Sequence, residues 1–354
     1  LTVPLRVLHL TGSAVSDFFA DLSRLYAADC LAATEDPDRY TPLLAHVSPD
    51  RSWRFPASLD RDAIAAAPAL ALDEAVAQLR SLRVDVALPQ MFCLPGMTEY
   101  RALLDVIGIP YVGNRPDVMA LGAHKVRARS VVAAAGVDVP RGMVIGDGAG
   151  PGVNFPAVVK PVDGDNSVGV SLVRDPRDLA GAIARARAYS DAALVETYVE
   201  LGREVRCGII ERGGELVVLP LEEYAVDPQT KPIRDHDDKL RRGADGELGL
   251  VAKDDDHAWI VDPDDPIVPA VARAARRCHA ALGCRHYSLF DFRIDPEGRP
   301  WFLEAGLYCS FARQSVISVM AASAGIDVPE LLSIALDDAL APALRRARPE
   351  RSLA

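Results

Sequence analysis

The absences in this chain bound it first. Its six cysteines, Cys30, Cys93, Cys207, Cys278, Cys284 and Cys309, are scattered with no CxxC pair and no zinc-type spacing, which excludes a metal-ribbon framework. Buried free thiols in a reducing compartment fit that pattern, so a cytoplasmic protein is expected. Long apolar runs are missing too: the most hydrophobic stretch, AIAAAPALALDEAVAQL, is interrupted by Pro68, Asp73 and Glu74, which disfavours a membrane span. The opening LTVPLRVLHLTGS lacks the basic region of a signal peptide and reads as a strand. Basic charge is in deficit, with a net charge of −11, and both nucleic acid and an anionic membrane select for the opposite sign. The dinucleotide fingerprint GxGxxG, a Walker loop and a kinase glycine loop are all absent, as is any repeat or low-complexity tract.

What is present is an ordinary globular composition, 49% hydrophobic and 25% charged, over 354 residues. That length predicts two or three domains sharing a cleft, and the acidic balance still allows an anionic small molecule, since a few local cations decide that. The first third alternates strand and helix signals: LRVLHL, a helix from Asp17 to Ala33, LLAHV, a helix around Asp73 to Leu82, VDVALP, a helix around Thr98 to Val106, and IPYVG. Such alternation predicts a parallel sheet with right-handed crossovers. Asn114-Arg115-Pro116 reads as a boundary, because Pro116 disfavours helix at the preceding residue. A smaller unit follows, with one helix VMALGAHKVRARSVVAAAG, the strand NFPAVVKPV, the loop DGDNSVGV, a helix DLAGAIARARAYS and the strand AALVETYV. The last third is rich in hairpins, one of them turning at Gly213-Gly214, and its polar stretch DPQTKPIRDHDDKLRRGADGELG is long enough for a mobile lid. The expected division is 1–114, 115–199 and 200–354.

The chemistry concentrates in FDFRIDPEGRPWFLEAG. A two-residue Glu297-Gly298 turn closed by Pro296 and Arg299 would set Asp291 directly opposite Glu304. Opposed carboxylates repel unless a cation lies between them, and a divalent metal satisfies both. The flanking Phe290, Phe292, Trp301, Phe302 and Leu303 argue that this hairpin is largely buried. Lys160 ends the apolar run FPAVV and precedes a glycine-containing loop, where a cation and freed backbone amides suit phosphates. Lys125 stands out on a helix of apolar and small residues. Glu196 closes one strand and Glu204 begins the next, where carboxylates can accept from an adenine amino group and from ribose hydroxyls.

These segments together resemble the ATP-grasp superfamily, and within it the D-alanine:D-alanine ligases. The resemblance is carried by IGIPYVGN, the Lys125 helix with AAAGVDVPRG, FPAVVKPVDGDNSVGVSLV, ALGCRHYSLFDFRIDPEGRPWFLEAG and AASAGIDVPELL. It implies an α/β fold, a Rossmann-like parallel domain followed by two α+β subdomains clasping ATP and magnesium, in a protein that is commonly a homodimer. By the same resemblance, Lys125 and Lys160 hold phosphates, Ser167 with Val168 and Gly169 closes over them, and Glu196 and the backbone of Val199 meet adenine beside Leu303. Glu204 takes the ribose, Lys239 reaches the γ-phosphate from the lid, Asp291 and Glu304 ligate magnesium, and Ser315 binds the carboxylate of the second amino acid.

The chain departs from that pattern where substrates bind. The family's third magnesium ligand, an Asn, falls on Gly306. Its oxyanion Arg falls on Leu289, for which Arg293 is the expected substitute, and its substrate-orienting loop serine is Asn166. The implied activity is an ADP-forming carboxylate–amine ligase working through an acyl phosphate. The altered positions favour amino-acid-like substrates of specialised peptide biosynthesis over a cell-wall D-alanine:D-alanine ligase or a non-catalytic ATP-binding regulator.

Overall fold

The computed structural model describes residues 3–145, 154–163, 168–227, 230, 232–233, 241–242, 248–249 and 257–347. The first third contains β1 (Leu5–Gly12), α1 (Asp17–Ala33), β2 (Tyr40–Val47), β3 (Trp53–Arg54), α2 (Arg61–Ala66), α3 (Leu72–Ser81), β4 (Val86–Pro89), α4 (Leu94–Met97) and α5 (Glu99–Ile107). Its sheet runs β3-β2-β1-β4, with β1 parallel to both neighbours. Ser16 starts α1 by accepting the Phe19 amide, and Asp17 adds a negative charge at the helix's positive end. Gly12 leaves β1 at φ 96°, and an added Cβ would lie 2.0 Å from the Val47 carbonyl oxygen, so only glycine fits there. The expected strand IPYVG is reduced to a single bridge between Ala87 and Tyr111.

Next come α6 (Pro116–Ala123), α7 (Lys125–Ala134), β5 (Gly142–Ile145), β6 (Ala157–Pro161), β7 (Ser171–Val173), α8 (Leu179–Arg187) and β8 (Ala193–Thr197), whose strands form a sheet ordered β5-β8-β6-β7. The single helix expected over residues 118–136 is two. It breaks at His124, which is extended, and the Lys125 amide leaves the helical ladder to donate to the Val162 carbonyl at 2.7 Å. Lys125 therefore starts a helix instead of riding inside one.

The remainder is β9 (Arg203–Arg212), β10 (Glu215–Val218), β11 (Glu222–Tyr224), β12 (Arg241–Arg242), β13 (Leu248–Gly249), β14 (Ala258–Ile260), α9 (Val268–Leu282), β15 (Tyr287–Ile294), β16 (Pro300–Gly306), α10 (Val316–Ser323) and α11 (Val328–Ala347). Here the sheet runs β14-β11-β9-β15-β16, with β10 paired to β9 through the Gly213-Gly214 turn, both glycines at positive φ. Alternation along β15 divides its work. Phe290, Phe292 and Ile294 pack on α9, Tyr287 and Leu289 join the core with α10 and α11, and Asp291 and Arg293 face a cleft.

The first sheet is stitched to the large one at Asn114, which is fully buried. Its side-chain amide donates to the Tyr287 and Leu307 carbonyls, both at 3.0 Å, and the Gly113 amide donates to His286 Nδ1 at 2.9 Å. All six cysteines are free and buried. Among the described residues no single helix is long and apolar enough to cross a membrane.

Candidate active site

The cleft lies between the β5-β8-β6-β7 sheet and the face of β15 and β16 that carries Asp291, Arg293 and Glu304. Its walls include Lys125, Val158, Lys160, Val170, Glu196, Val199, Glu204, Asp291, Arg293, Leu303 and Glu304, and its volume, open mouth included, is about 780 Å³.

The hairpin places Asp291 opposite Glu304, but by a different route from the expected one. Asp295 and Arg299 close the turn through an amide-to-carbonyl bond of 3.1 Å, so the loop holds three residues, Pro296, Glu297 and Gly298, with Gly298 at φ 81°. This shifts the register by one residue. A bulge between the Phe292–Phe302 and Asp291–Glu304 pairs then inserts Leu303 and shifts it back. The bulge has its own effect: two successive residues, Leu303 and Glu304, both reach the cleft.

Each acid already has a protein cation. Lys125 Nζ lies 3.1 Å from Glu304 Oε2. Arg206, directly across from Asp291 on β9, binds that carboxylate with two donors, Nε to Oδ1 and Nη2 to Oδ2, the latter at 3.0 Å. Burial disfavours the Arg206 charge, but the Asp291 carboxylate outweighs it and holds the guanidinium well above its usual pKa. Protein cations therefore already offset both acids, as the sequence reading required of some cation. Magnesium still fits the donor set, because a carboxylate offers about four lone-pair directions and the protein cations use only some of them. Among the described residues no three His, Cys, Asp or Glu side chains converge on one point. Waters or phosphate oxygens would therefore complete the shell, as is usual for this ion.

At the other end Lys160 Nζ sits 2.5 Å from Glu196 Oε1, and Arg129 Nη1 lies 3.7 Å from Glu196 Oε2. Arg293 shares the cleft face with Asp291, yet its guanidinium is committed elsewhere. It donates to Glu204 at 2.8 Å, to the Val199 carbonyl at 3.3 Å and to the Pro232 carbonyl at 2.8 Å. The geometry thus gives Arg293 the role of bracing Glu204, and it does not stand in for the guanidinium expected at Leu289. Ser315 does not line the cleft; it precedes α10, with its hydroxyl 2.8 Å from that of Ser318. Asn166, Ser167 and Lys239 lie outside the described residues. Arg206 escaped the sequence reading, although REVRCGII carries the signal. Val205, Cys207 and Ile209 alternate into the core, which puts Arg206 on the same face as Glu204.

Residues 150–337 match the family model for the D-ala D-ala ligase C-terminus. The chain belongs to the D-alanine–D-alanine ligase family. A D-alanine–D-alanine ligase from Gloeobacter violaceus is 30% identical over 255 residues, 68% of this chain and 77% of that protein. One from Mycolicibacterium smegmatis is 28% identical over 364 residues, covering 92% of this chain and 95% of the relative. A Bacillus anthracis D-alanine–D-alanine ligase, solved in complex with ATP, shares the fold with a TM-score of 0.70 at 18% identity, across 97% of this chain and all of that one. Family membership makes this an ATP-grasp, amide-bond-forming ligase. These relatives support the D-alanine:D-alanine reading over specialised peptide biosynthesis.

Proposed function

We propose that the chain is an ATP-dependent ligase that joins two small amino acids, D-alanine with D-alanine as the first pair to test. The observation that carries this reading is one cleft holding two lysines, two opposed carboxylates and an apolar wall formed by Val158, Val170 and Leu303. In this reading Lys125 and Lys160 take phosphate charge, and Glu196 and Glu204 accept from adenine and ribose. Magnesium, when bound, would be held by Asp291 and Glu304 and would neutralise charge on the phosphoryl oxygens.

The reaction begins with a substrate carboxylate oxygen attacking the γ-phosphorus, and the bond to the bridging oxygen of ADP breaks. The amine nitrogen of the second amino acid then attacks the acyl carbon, phosphate leaves with the C–O bond electrons, and the amine's proton passes to solvent. Hydroxide is a poor leaving group and phosphate a good one, which is why ATP is consumed. ADP release measured across amino-acid pairs, with mass detection of the dipeptide, tests the proposal. ADP and D-alanyl-D-alanine are expected; ADP formed only with other acids or amines would redirect the substrate, and no ADP with any pair would refute turnover. Leu289 and Gly306 keep a second substrate class in play, since both depart from the family's pattern next to the reacting groups. The same reading takes the protein to be a cytoplasmic homodimer, which light scattering of the purified chain would check.

A further inference from the structure

The large sheet carries a row of charges across four strands. Register aligns Glu304 on β16, Asp291 on β15, Arg206 on β9 and Glu222 on β11. Arg206 is the one cation in the row, and it stacks over the Tyr224 ring at 5.3 Å while the Tyr224 hydroxyl donates to Glu222. Flanked by Asp291 and Glu222 and laid on a ring, the guanidinium is fixed in place, with its side chain only 14% exposed.

The adjoining row cannot supply a cation. Its members are Gly306, Leu289 and Gly208, and the Leu289 side chain is packed among Ile210, Leu219 and Met320. Nor do the neighbouring cations offer a substitute, since Arg293 is spent on Glu204 and two carbonyls, while Lys125 and Lys160 are the two that the proposed function gives to phosphate. Arg206 differs: the bonds found for it use Nε and Nη2, and Nη1 makes none with a described residue. With 14% of its side chain exposed, the guanidinium is not sealed in the core.

We propose that Arg206 is a catalytic residue whose free guanidinium edge takes the anionic oxygen that develops at the carboxyl group being activated, so that the charge missing at Leu289 is supplied from the next strand. This rests on the ligase reading above. Asp291 orients the fork through one edge and leaves the other for the reacting group, and a guanidinium is suited to that division because its donors lie in a rigid plane.

Three variants with a steady-state ADP assay and calorimetry for ATP test it. In R206A, kcat is expected to fall by about 100-fold or more, the range for losing one oxyanion donor, while the ATP dissociation constant stays within about threefold of wild type. Guanidinium ion added to R206A should restore at least about a tenth of the lost rate, which a structural defect would not allow. R206K, which keeps charge without the fork, should be intermediate, and R206Q should resemble R206A. A kcat in R206A within about threefold of wild type, or a loss that added guanidinium does not move, overturns the assignment. Should R206A fail to fold, R206K decides: a reduced kcat with ATP affinity retained supports the role, and a wild-type kcat overturns it. A wild-type enzyme silent with every substrate pair would instead refute the ligase reading and this role with it.

Discussion

Lys160 and Glu196 illustrate how the site binds charge before any ligand arrives. Both are buried, and they meet at 2.5 Å with Arg129 behind the carboxylate. Removing one partner of a buried pair strands the other, at a cost of roughly 3 to 5 kcal/mol. Lys160→Ala should therefore both weaken ATP binding and lower stability by that order, read by calorimetry and urea denaturation. Unchanged values in both would mean that Lys160 is solvated and serves neither role. At this scale the sequence exposed the residues whose type is unusual for their setting, such as a lysine ending FPAVV or an acid within aromatic runs. It hid Arg206, because an arginine in an alternating strand looks like a solvated face until the pairing with β15 places an aspartate against it.

Elements bounded by strong local chemistry were legible. The Asp17–Ala33 helix follows from Ser16 and its capping geometry, and the Gly213-Gly214 hairpin from two residues that tolerate positive φ. The break at His124 was not, since it depends on a backbone bond from Lys125 to Val162, a partner distant in sequence. The β15–β16 hairpin was read with the right pairing and the wrong turn, because a three-residue loop and a one-residue bulge offset each other. Deleting Leu303 tests what the bulge is for. Removal should leave Asp291 opposite Glu304 and take away an apolar wall of the cleft, so ATP affinity should fall by about tenfold, or about 1.4 kcal/mol, with the acids still paired. Unaltered affinity by calorimetry would show that the bulge serves only the turn.

Across the whole molecule, three buried histidines set an acid limit. Burial lowers His9 and His46 from 6.5 to about 4, and His286 to about 3. The unfolded chain takes up protons near pH 6.5 that the native protein refuses, so stability is full above that pH and is lost progressively as pH falls toward 4. Shifts of this size amount to on the order of 3 kcal/mol per histidine. His286 accepts from the Gly113 amide at the seam between the first sheet and the large one, so that seam should loosen early. Thermal melts should show a marked drop in Tm between pH 7.5 and 5; equal values would mean that these side chains are already protonated in the native state. The parallel pairing of β1 with β2 and β4 was legible from strand and helix alternation, whereas the short β3, which pairs antiparallel with β2, was not. The seam at Asn114 was read only as a boundary, since nothing local to it reveals partners on Tyr287 and Leu307.

The burial of the cysteines has a practical consequence. Cys30, Cys207, Cys284 and Cys309 are pushed up to about 12 by desolvation, so at neutral pH almost none of their sulfur is present as the reactive thiolate. A thiol-directed dye can then modify these positions only during excursions in which the core opens. Its labelling rate serves as an internal clock for those excursions, one that ATP should slow if the nucleotide clamps the two sheets flanking the cleft, and that needs no introduced probe.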